Sequence, residues 1–308
     1  MIVVILKGGL GNQMFQYALG IALAKRYNTD LVFDTTFLND RTPRNDFTFR
    51  SYALGMFNVA PRFTFLSRIG LKFPVPVLWL GLSQLIARTL SFIGIRPYIR
   101  QHSDRLDLSA LKRGGNICID GYFQSEQYFE NAIDEVANAF TFKKSMSPEL
   151  KTITDWMNMD GSVCVHARRG DYASNPTVAQ CLGALGPDYY TRAFEEMKSR
   201  VNISRVYIFS DDIPWCKENL SFGNTPVTYE DAFLDREDFD GFRLMTHCQN
   251  FIIGNSTYAW WAAWLANIEP VERLRTRGRS GVVIAPNVWA KDGGVISDEI
   301  IPRRWIRI

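Results

Sequence analysis

The sequence predicts an α/β protein of two halves, each built on parallel strands, and three observations carry that reading. Short apolar or β-branched runs alternate with helical patterns at both ends of the 308-residue chain, the alternation that builds crossovers between parallel strands. The lysines at 143–144 lie between two helical patterns and mark a boundary, giving an N-terminal domain over 1–145 and a C-terminal domain over 146–308, whose tail is expected to return to the first. Polar segments of unusual composition follow several of the runs, and in open parallel sheets ligands bind outside the carboxyl ends of the strands.

The first element is IVVIL at 2–6, a strand that feeds the glycine-rich turn GGLGNQ at 8–13. Glycine permits backbone angles and close approaches that side chains forbid, so the turn is shaped to meet a ligand or to pack tightly. A helix is expected over 12–26, with Met14, Phe15, Ala18, Leu19, Ala22 and Leu23 on one face, followed by the strand LVFD at 31–34. From 35 to 115 the periodicity weakens and Pro43, Pro61, Pro74, Pro76 and Pro97 punctuate it. Within that stretch residues 73–99 are the most apolar of the chain, but Ser83, Gln84 and Arg88 interrupt them, so a spanning helix is not expected. A helix packed within the domain is favoured over one lying on a membrane surface with Arg88, Arg96 and Arg100 towards head groups. Order returns with the strand ICID at 117–120, a helix over Ser125–Phe140, and a second helix opened by Ser147 as cap and Pro148 at its first position. The second half continues with VCVH (163–166), RVYIF (205–209), PVTY (226–229), FIIG (251–254) and GVVIA (281–285), a doubly wound parallel sheet.

Composition narrows the class. With 46% hydrophobic and 22% charged residues the chain can bury a sizeable core, and a net charge of +3 without a basic run gives no reason to expect nucleic acid as partner. The five cysteines are odd in number and lack CxxC spacing, which points to reduced thiols in a cytoplasmic compartment. The N-terminal run enters a helix directly, so neither a signal peptide nor an N-terminal anchor is expected.

The polar segments are HARRGDY after 163–166, SDD after 205–209, and NSTYAWWAAWL after 251–254, with GGLGNQ in the equivalent place in the first half. Arg168 and Arg169 are adjacent, so in an extended segment one can face a cleft while the other supports it. A guanidinium fork matches phosphate oxygens. Asn255, Ser256 and Thr257 start a helix whose amides favour an anion. Asp211 and Asp212 either cap the helix carrying Trp215 or accept from a ribose or base. Together these residues describe a site for a nucleoside diphosphate in a cleft between the halves.

Blander readings stand beside each signal. GGLGNQ lacks the Gly-Lys-Ser/Thr of a Walker loop, His166 ends an apolar run as core histidines do, and Trp260, Trp261 and Trp264 are spaced as core residues. Arg169-Gly170-Asp171 spells an adhesive tripeptide but follows a buried-looking strand, and Asp238-Phe239-Asp240 resembles a metal-binding DxD pair but lies in a charged run.

GGLGNQMFQYA (8–18), GYFQSEQYF (121–129), VHARRGDY (165–172), FSDD (209–212) and CQNFIIGNSTYAWWAAWL (248–265), in this order, resemble the α-1,2-fucosyltransferases of glycosyltransferase family 11 in a bacterial, anchor-free form. The resemblance implies an inverting, metal-independent transfer of L-fucose from GDP-fucose to the 2-hydroxyl of a galactoside. It also implies a two-domain GT-B-like scaffold with a Rossmann-like C-terminal domain holding the nucleotide, no cofactor, and an acceptor side formed by the N-terminal domain. Carried over residue by residue, it gives Arg168 the β-phosphate and Gly11 and Asn12 a second contact to the diphosphate, with Arg169 and Asn255 among the donor-binding residues. Asp211 and Asp212 fall near guanine or ribose, Ser256 and Thr257 near the phosphates, and Asp171 and His166 are the candidate bases. Ala167 and Ala259 replace the valine and serine more usual there. Relatives of this kind act on lipid-linked surface glycans at the inner face of the cytoplasmic membrane, which leaves peripheral membrane contact through 73–99 open. Another nucleotide-sugar transferase, another linkage, and an adhesive or lectin-like module are the competing readings.

Overall fold

The computed structural model describes residues 1–42, 48–65, 67, 82, 85–86, 88–90, 98–101, 116–232, 240–268, 281–290 and 299–308. The chain forms two compact units, Met1–Lys144 and Ser145–Ile308, each with its own all-parallel sheet.

In the first unit the strands are β1 (Ile2–Ile5), β2 (Leu31–Asp34), β3 (Tyr98–Arg100) and β4 (Ile117–Asp120), ordered β2-β1-β4-β3. β1 and β4 are buried at every position, as central parallel strands covered on both faces must be, and this is why, apart from Asp120 at the end of β4, they read as apolar runs. The first helix spans Leu10–Tyr27, two residues earlier than its polar start suggested. Gly8 makes the turn alone with φ +77°, Gly9 takes the extended cap position, and Leu10 and Gly11 are already helical and buried. A Cβ on Gly8 would stand 2.4 Å from Asn12 Nδ2, so the glycine is required for space as well as for conformation. The helix expected over Ser125–Phe140 is broken. Two short 3₁₀ turns, Glu126–Tyr128 and Glu130–Ala132, precede an α-helix only over Ile133–Ala139. Ser125 accepts from the Gln127 amide, and Phe129, with φ −134° and ψ 19°, ends the first turn before a helical ladder can propagate.

The second unit opens with the helix Pro148–Met157, whose Ser147 cap accepts from the Leu150 amide as expected. Its strands are β5 (Ser162–Ala167), β6 (Arg205–Ser210), β7 (Val227–Tyr229), β8 (Asn250–Ile253), β9 (Val283–Ala285) and β10 (Ile306–Arg307), ordered β10-β9-β8-β5-β6-β7. The chain starts at the centre with β5, runs outwards through β6 and β7, then crosses back to β8 and runs the other way. This is the strand order of a Rossmann fold, and it reverses between β5 and β8. Val163, Val165, Val206, Ile208, Ile252 and Ile284 pack against Tyr189, Tyr190, Phe194 and Met197 of the helix Pro187–Arg200. The helix Thr257–Ala266 is apolar all round, and Trp260, Trp261 and Trp264 are fully buried in it, the core role rather than a sugar platform. Trp260 also donates to the Ile300 carbonyl at 2.6 Å and packs on Trp305. The C-terminal strand β10 pairs in parallel with β9 and completes the second sheet.

Most of 35–115, and with it most of 73–99, lies outside the described residues, as do Asp238 and Phe239 of the DxD-like run; Asp240 begins the helix Asp240–Met245. Among the described residues no helix is long and apolar enough to cross a membrane, and no group of three or more His, Cys, Asp or Glu side chains could hold a metal ion.

Candidate functional site

The reversal of strand order in the second unit brings together the segments that leave β5, β6 and β8. β5 ends at Ala167, and its partner β6 ends at Ser210 with Ala167 and Ser210 in register. On the other side His166 is in register with Ile253, the last residue of β8. The Gly254 amide donates to the His166 carbonyl at 3.0 Å, so the Asn255–Thr257 turn begins beside the arginine turn. The chain thus places Arg168, Asp211 and Ser256 at one sheet end because three polar segments start at three neighbouring strand ends.

Arg168 is held between two carboxylates. Its Nη2 donates to Asp171 Oδ1 at 2.5 Å and its Nη1 stands 2.6 Å from Asp211 Oδ2, with a quarter of the side chain exposed. Its guanidinium also lies 5.4 Å from the centre of the Tyr172 ring, whose hydroxyl donates to the Asn255 carbonyl at 3.3 Å. Arg169, at φ −124° and ψ −68°, is the cap of the helix Gly170–Ser174 and makes different contacts. Its guanidinium stacks 3.9 Å from the Trp215 ring centre and stands 3.9 Å from Asp212 Oδ2, while its buried Nε has no hydrogen-bond partner. Both terminal nitrogens of Arg168 therefore face carboxylates, while Arg169 is held by Trp215 and Asp212.

Asp211 fixes this arrangement through its other oxygen, which accepts from the Arg169 amide at 2.7 Å. Gly170 lies against the same carboxylate, and a Cβ there would come within 2.4 Å of Asp211 Oδ2. The middle residue of the adhesive-looking tripeptide is therefore a glycine for close approach. Asp212 caps the helix Ile213–Asn219 by accepting from the Trp215 amide at 3.1 Å, the capping alternative of the sequence reading.

Asn255 is almost completely buried, and its amide nitrogen donates to the carbonyls of Leu182, Gly183 and Trp289 at 3.0–3.2 Å. It ties three chain segments together, and only its unpartnered, buried Oδ1 remains for another contact. Ser256 caps the helix Thr257–Ala266 without spending its hydroxyl on a cap bond, and Thr257 is half-buried at the first helical position. The amides of that first turn lack intrahelical acceptors and form the positive end of the helix.

His166 is 6% exposed, under the Tyr258 ring, with Nδ1 unpartnered. Burial, with the Arg168 charge adding to it and the Asp211 charge opposing, lowers its pKa from 6.5 to about 4, so it is a neutral core imidazole at physiological pH. That is the bland reading of the sequence, and it argues against His166 as a base.

Gly11 and Asn12 belong to the first unit. Asn12 Oδ1 accepts from Gln124 Nε2 at 2.6 Å, and the neighbouring Gln13 side chain is bound to the carbonyls of Gly8 and Ser51 and to the Ala53 amide. Sequence reasoning missed a second cluster at this sheet end: Asp120, at the end of β4, pairs with Lys7, accepts from the Tyr98 hydroxyl at 2.5 Å, and lies 3.8 Å from Arg100. Burial alone would raise the Asp120 pKa, but these bonds and the cations outweigh it and the carboxyl stays below its ordinary range. Lys7 and Asp120 follow strand-like runs, so position was the available signal; the pairing depends on the register of β1 with β4.

Comparison with known proteins gives the context. The family model for glycosyl transferase family 11 matches residues 1–277. The chain is 29% identical to an α-1,2-colitosyltransferase of Escherichia coli over 98% of this chain and 97% of that protein. It is 28% identical to the O-antigen biosynthesis glycosyltransferase WbnK of the same organism, over 92% and 93% of the two chains. A human galactoside α-(1,2)-fucosyltransferase 1 is 25% identical over half of this chain and 44% of its own length.

Proposed function

The chain belongs to glycosyltransferase family 11, and from that premise we propose that it transfers L-fucose from GDP-fucose, with inversion and without a metal, to the 2-hydroxyl of a terminal galactoside in a surface glycan. The observation that carries the reading is Arg168, a guanidinium fork at the switch point of a Rossmann-ordered sheet, beside the start of the helix Thr257–Ala266. Breaking the bond between sugar and phosphate leaves charge on the β-phosphate, so preorganised donors aimed at that charge lower the barrier. Arg168 and the first amides of the helix are such donors in this proposal, with the Ser256 and Thr257 hydroxyls as further partners. Gly11 and Asn12 keep the donor contact that the resemblance implies. Asp171 is the candidate base on the acceptor hydroxyl, since His166 is buried and weakly basic.

The acceptor in this proposal is a galactose-terminated glycan, assembled on a lipid carrier at the inner face of the cytoplasmic membrane; the similarity to WbnK, an O-antigen biosynthesis glycosyltransferase, supports a glycan of the O-antigen kind. A second reading, transfer of colitose from the corresponding nucleotide sugar, is favoured by the 29% identity to the colitosyltransferase across nearly the whole chain.

The test is transfer from GDP-fucose to a panel of β-galactosides in excess EDTA, with the product linkage determined. An α-1,2-fucosyl galactoside formed under chelation is the expected result. A different linkage, no product with any galactoside, or product only when a divalent metal is restored would overturn the corresponding part of the proposal.

A further inference from the structure

Residues 47–103 contain seven Arg and Lys and no Asp or Glu, although 32 of the 308 residues of the chain are acidic. The rest of the chain, with 28 basic and 32 acidic residues, is net negative, so the positive surplus belongs to this one stretch of the first unit. Arg62 and Arg100 pair with Asp30 and Asp120, whereas Arg88 is exposed in a helical part of the stretch.

The described residues of that part, 82, 85–86 and 88–90, are helical. Leu82, Leu85 and Ile86 stand at i, i+3 and i+4, the spacing of one helix face, and Arg88 borders that face beside Leu85. A helix packed within the unit would cover these side chains. Instead Leu82 is 38%, Leu85 61% and Ile86 44% exposed, and Phe65, in the same acid-free stretch, is 75% exposed.

We propose that this stretch docks the protein on an anionic lipid surface. Leu82, Leu85 and Ile86 enter the boundary between head groups and acyl chains, and Arg88 meets lipid phosphates in a stretch that carries no acidic side chain to repel them. An acidic protein would be met by charge alone, whereas here the cation borders exposed leucine and isoleucine. Lys72 and Arg88 also bracket 15 uncharged residues, FPVPVLWLGLSQLIA, too few for the roughly 20 of a spanning helix. An apolar run of that length with basic flanks suits the interface plane. A second copy of the chain on a two-fold axis would set the same positive stretch against itself, which like charges oppose.

Docking draws on the acceptor reading above for its purpose, since a lipid-carried glycan lies at a bilayer. Its test contains neither donor nor acceptor, so vesicle binding without fucose transfer overturns that reading alone, and transfer without vesicle binding overturns the docking alone.

The experiment is co-sedimentation of the full-length protein with vesicles of phosphatidylcholine, with and without phosphatidylglycerol. Partition is expected on the vesicles that contain phosphatidylglycerol, weakened by salt. Arg88→Gln is expected to weaken it about 5-fold, the scale of one basic residue near an anionic surface. Leu85→Gln with Ile86→Gln, which leaves the charge unchanged, is expected to weaken it at least about 10-fold. All three side chains are exposed, so both variants should unfold at the wild-type temperature. No binding to vesicles with phosphatidylglycerol, or equal binding to both kinds of vesicle, overturns the proposal on the wild-type protein alone. Binding that the apolar pair does not affect overturns it in favour of an acidic partner met by charge. A lipid-free dimer in sedimentation velocity that Leu85→Gln with Ile86→Gln dissolves overturns it in favour of a second copy.

Discussion

Replacing Arg168 separates its part in turnover from its part in folding. The guanidinium makes two ion pairs, at 2.5 and 2.6 Å, and is 25% exposed, with its partners at 22% and 29%. Arg168→Ala leaves both carboxylates with access to water, so their loss of a partner costs about 1 kcal/mol of stability, near the upper end for exposed pairs. In a chain of this size that corresponds to a fall in Tm of about 2–4 °C. Turnover is affected far more. A donor aimed at developing charge is worth roughly 3–4 kcal/mol, so kcat is expected to fall about 100- to 1000-fold. Arg168→Lys keeps the charge but not the fork and is expected to lie between Ala and wild type. The assay pairs initial rates at saturating donor with thermal unfolding of the same preparations. Arg168→Ala with turnover within about threefold of wild type would refute the reasoning, because a phosphate-facing fork cannot be removed at so small a cost.

Three further predictions concern other parts of the fold. His166 has a folded-state pKa of about 4 against an ordinary 6.5, so between those values the unfolded chain binds the proton that the folded chain refuses. Its contribution is complete above about pH 6.5 and is lost as the pH falls towards 4, up to roughly 3 kcal/mol for this shift. Urea unfolding from pH 7 to 4.5 is expected to show a shallower decline in His166→Phe than in wild type, and parallel declines would contradict the assignment. Trp260→Ala opens a large cavity and removes the donor to Ile300, an expected loss of about 3–5 kcal/mol in urea unfolding. Activity per folded molecule should be retained, and its selective loss would return this tryptophan to the ligand. Gly8→Ala forces a φ of +77° on alanine and drives its Cβ onto Asn12, an expected loss of about 1–3 kcal/mol, with an unchanged Tm as the contrary result.

The legible parts of this fold are those governed by local chemistry. Ser147 and Pro148 announced a helix start that is present, ICID and LVFD were strands at the stated residues, and the runs at 163–166 and 251–254 mark the strands β5 and β8. The tryptophans of Thr257–Ala266 and the burial of His166 followed from their apolar neighbours. What was not legible depends on partners distant in sequence. The contacts that hold Arg169 come from Trp215 and Asp212, more than 40 residues on. The structural use of Asn255 needs carbonyls from Leu182, Gly183 and Trp289, and the place of the tail needs the register of β10 on β9. Helix starts were misjudged where glycine obscured them: Leu10 and Gly11 read as loop because a Gly-Leu-Gly string carries turn chemistry, yet Gly8 alone makes the turn. The reverse held for Ser125–Phe140, where helical periodicity concealed a local serine cap that diverts the chain into 3₁₀ turns.

The measurement that bears most directly on the central claim is amide hydrogen exchange of the full-length protein with and without GDP. The site described here predicts added protection concentrated in Arg168–Tyr172, Ser210–Asp212 and Gly254–Ala259, the three segments that leave β5, β6 and β8. Protection confined to other segments, or none at saturating GDP, would contradict it.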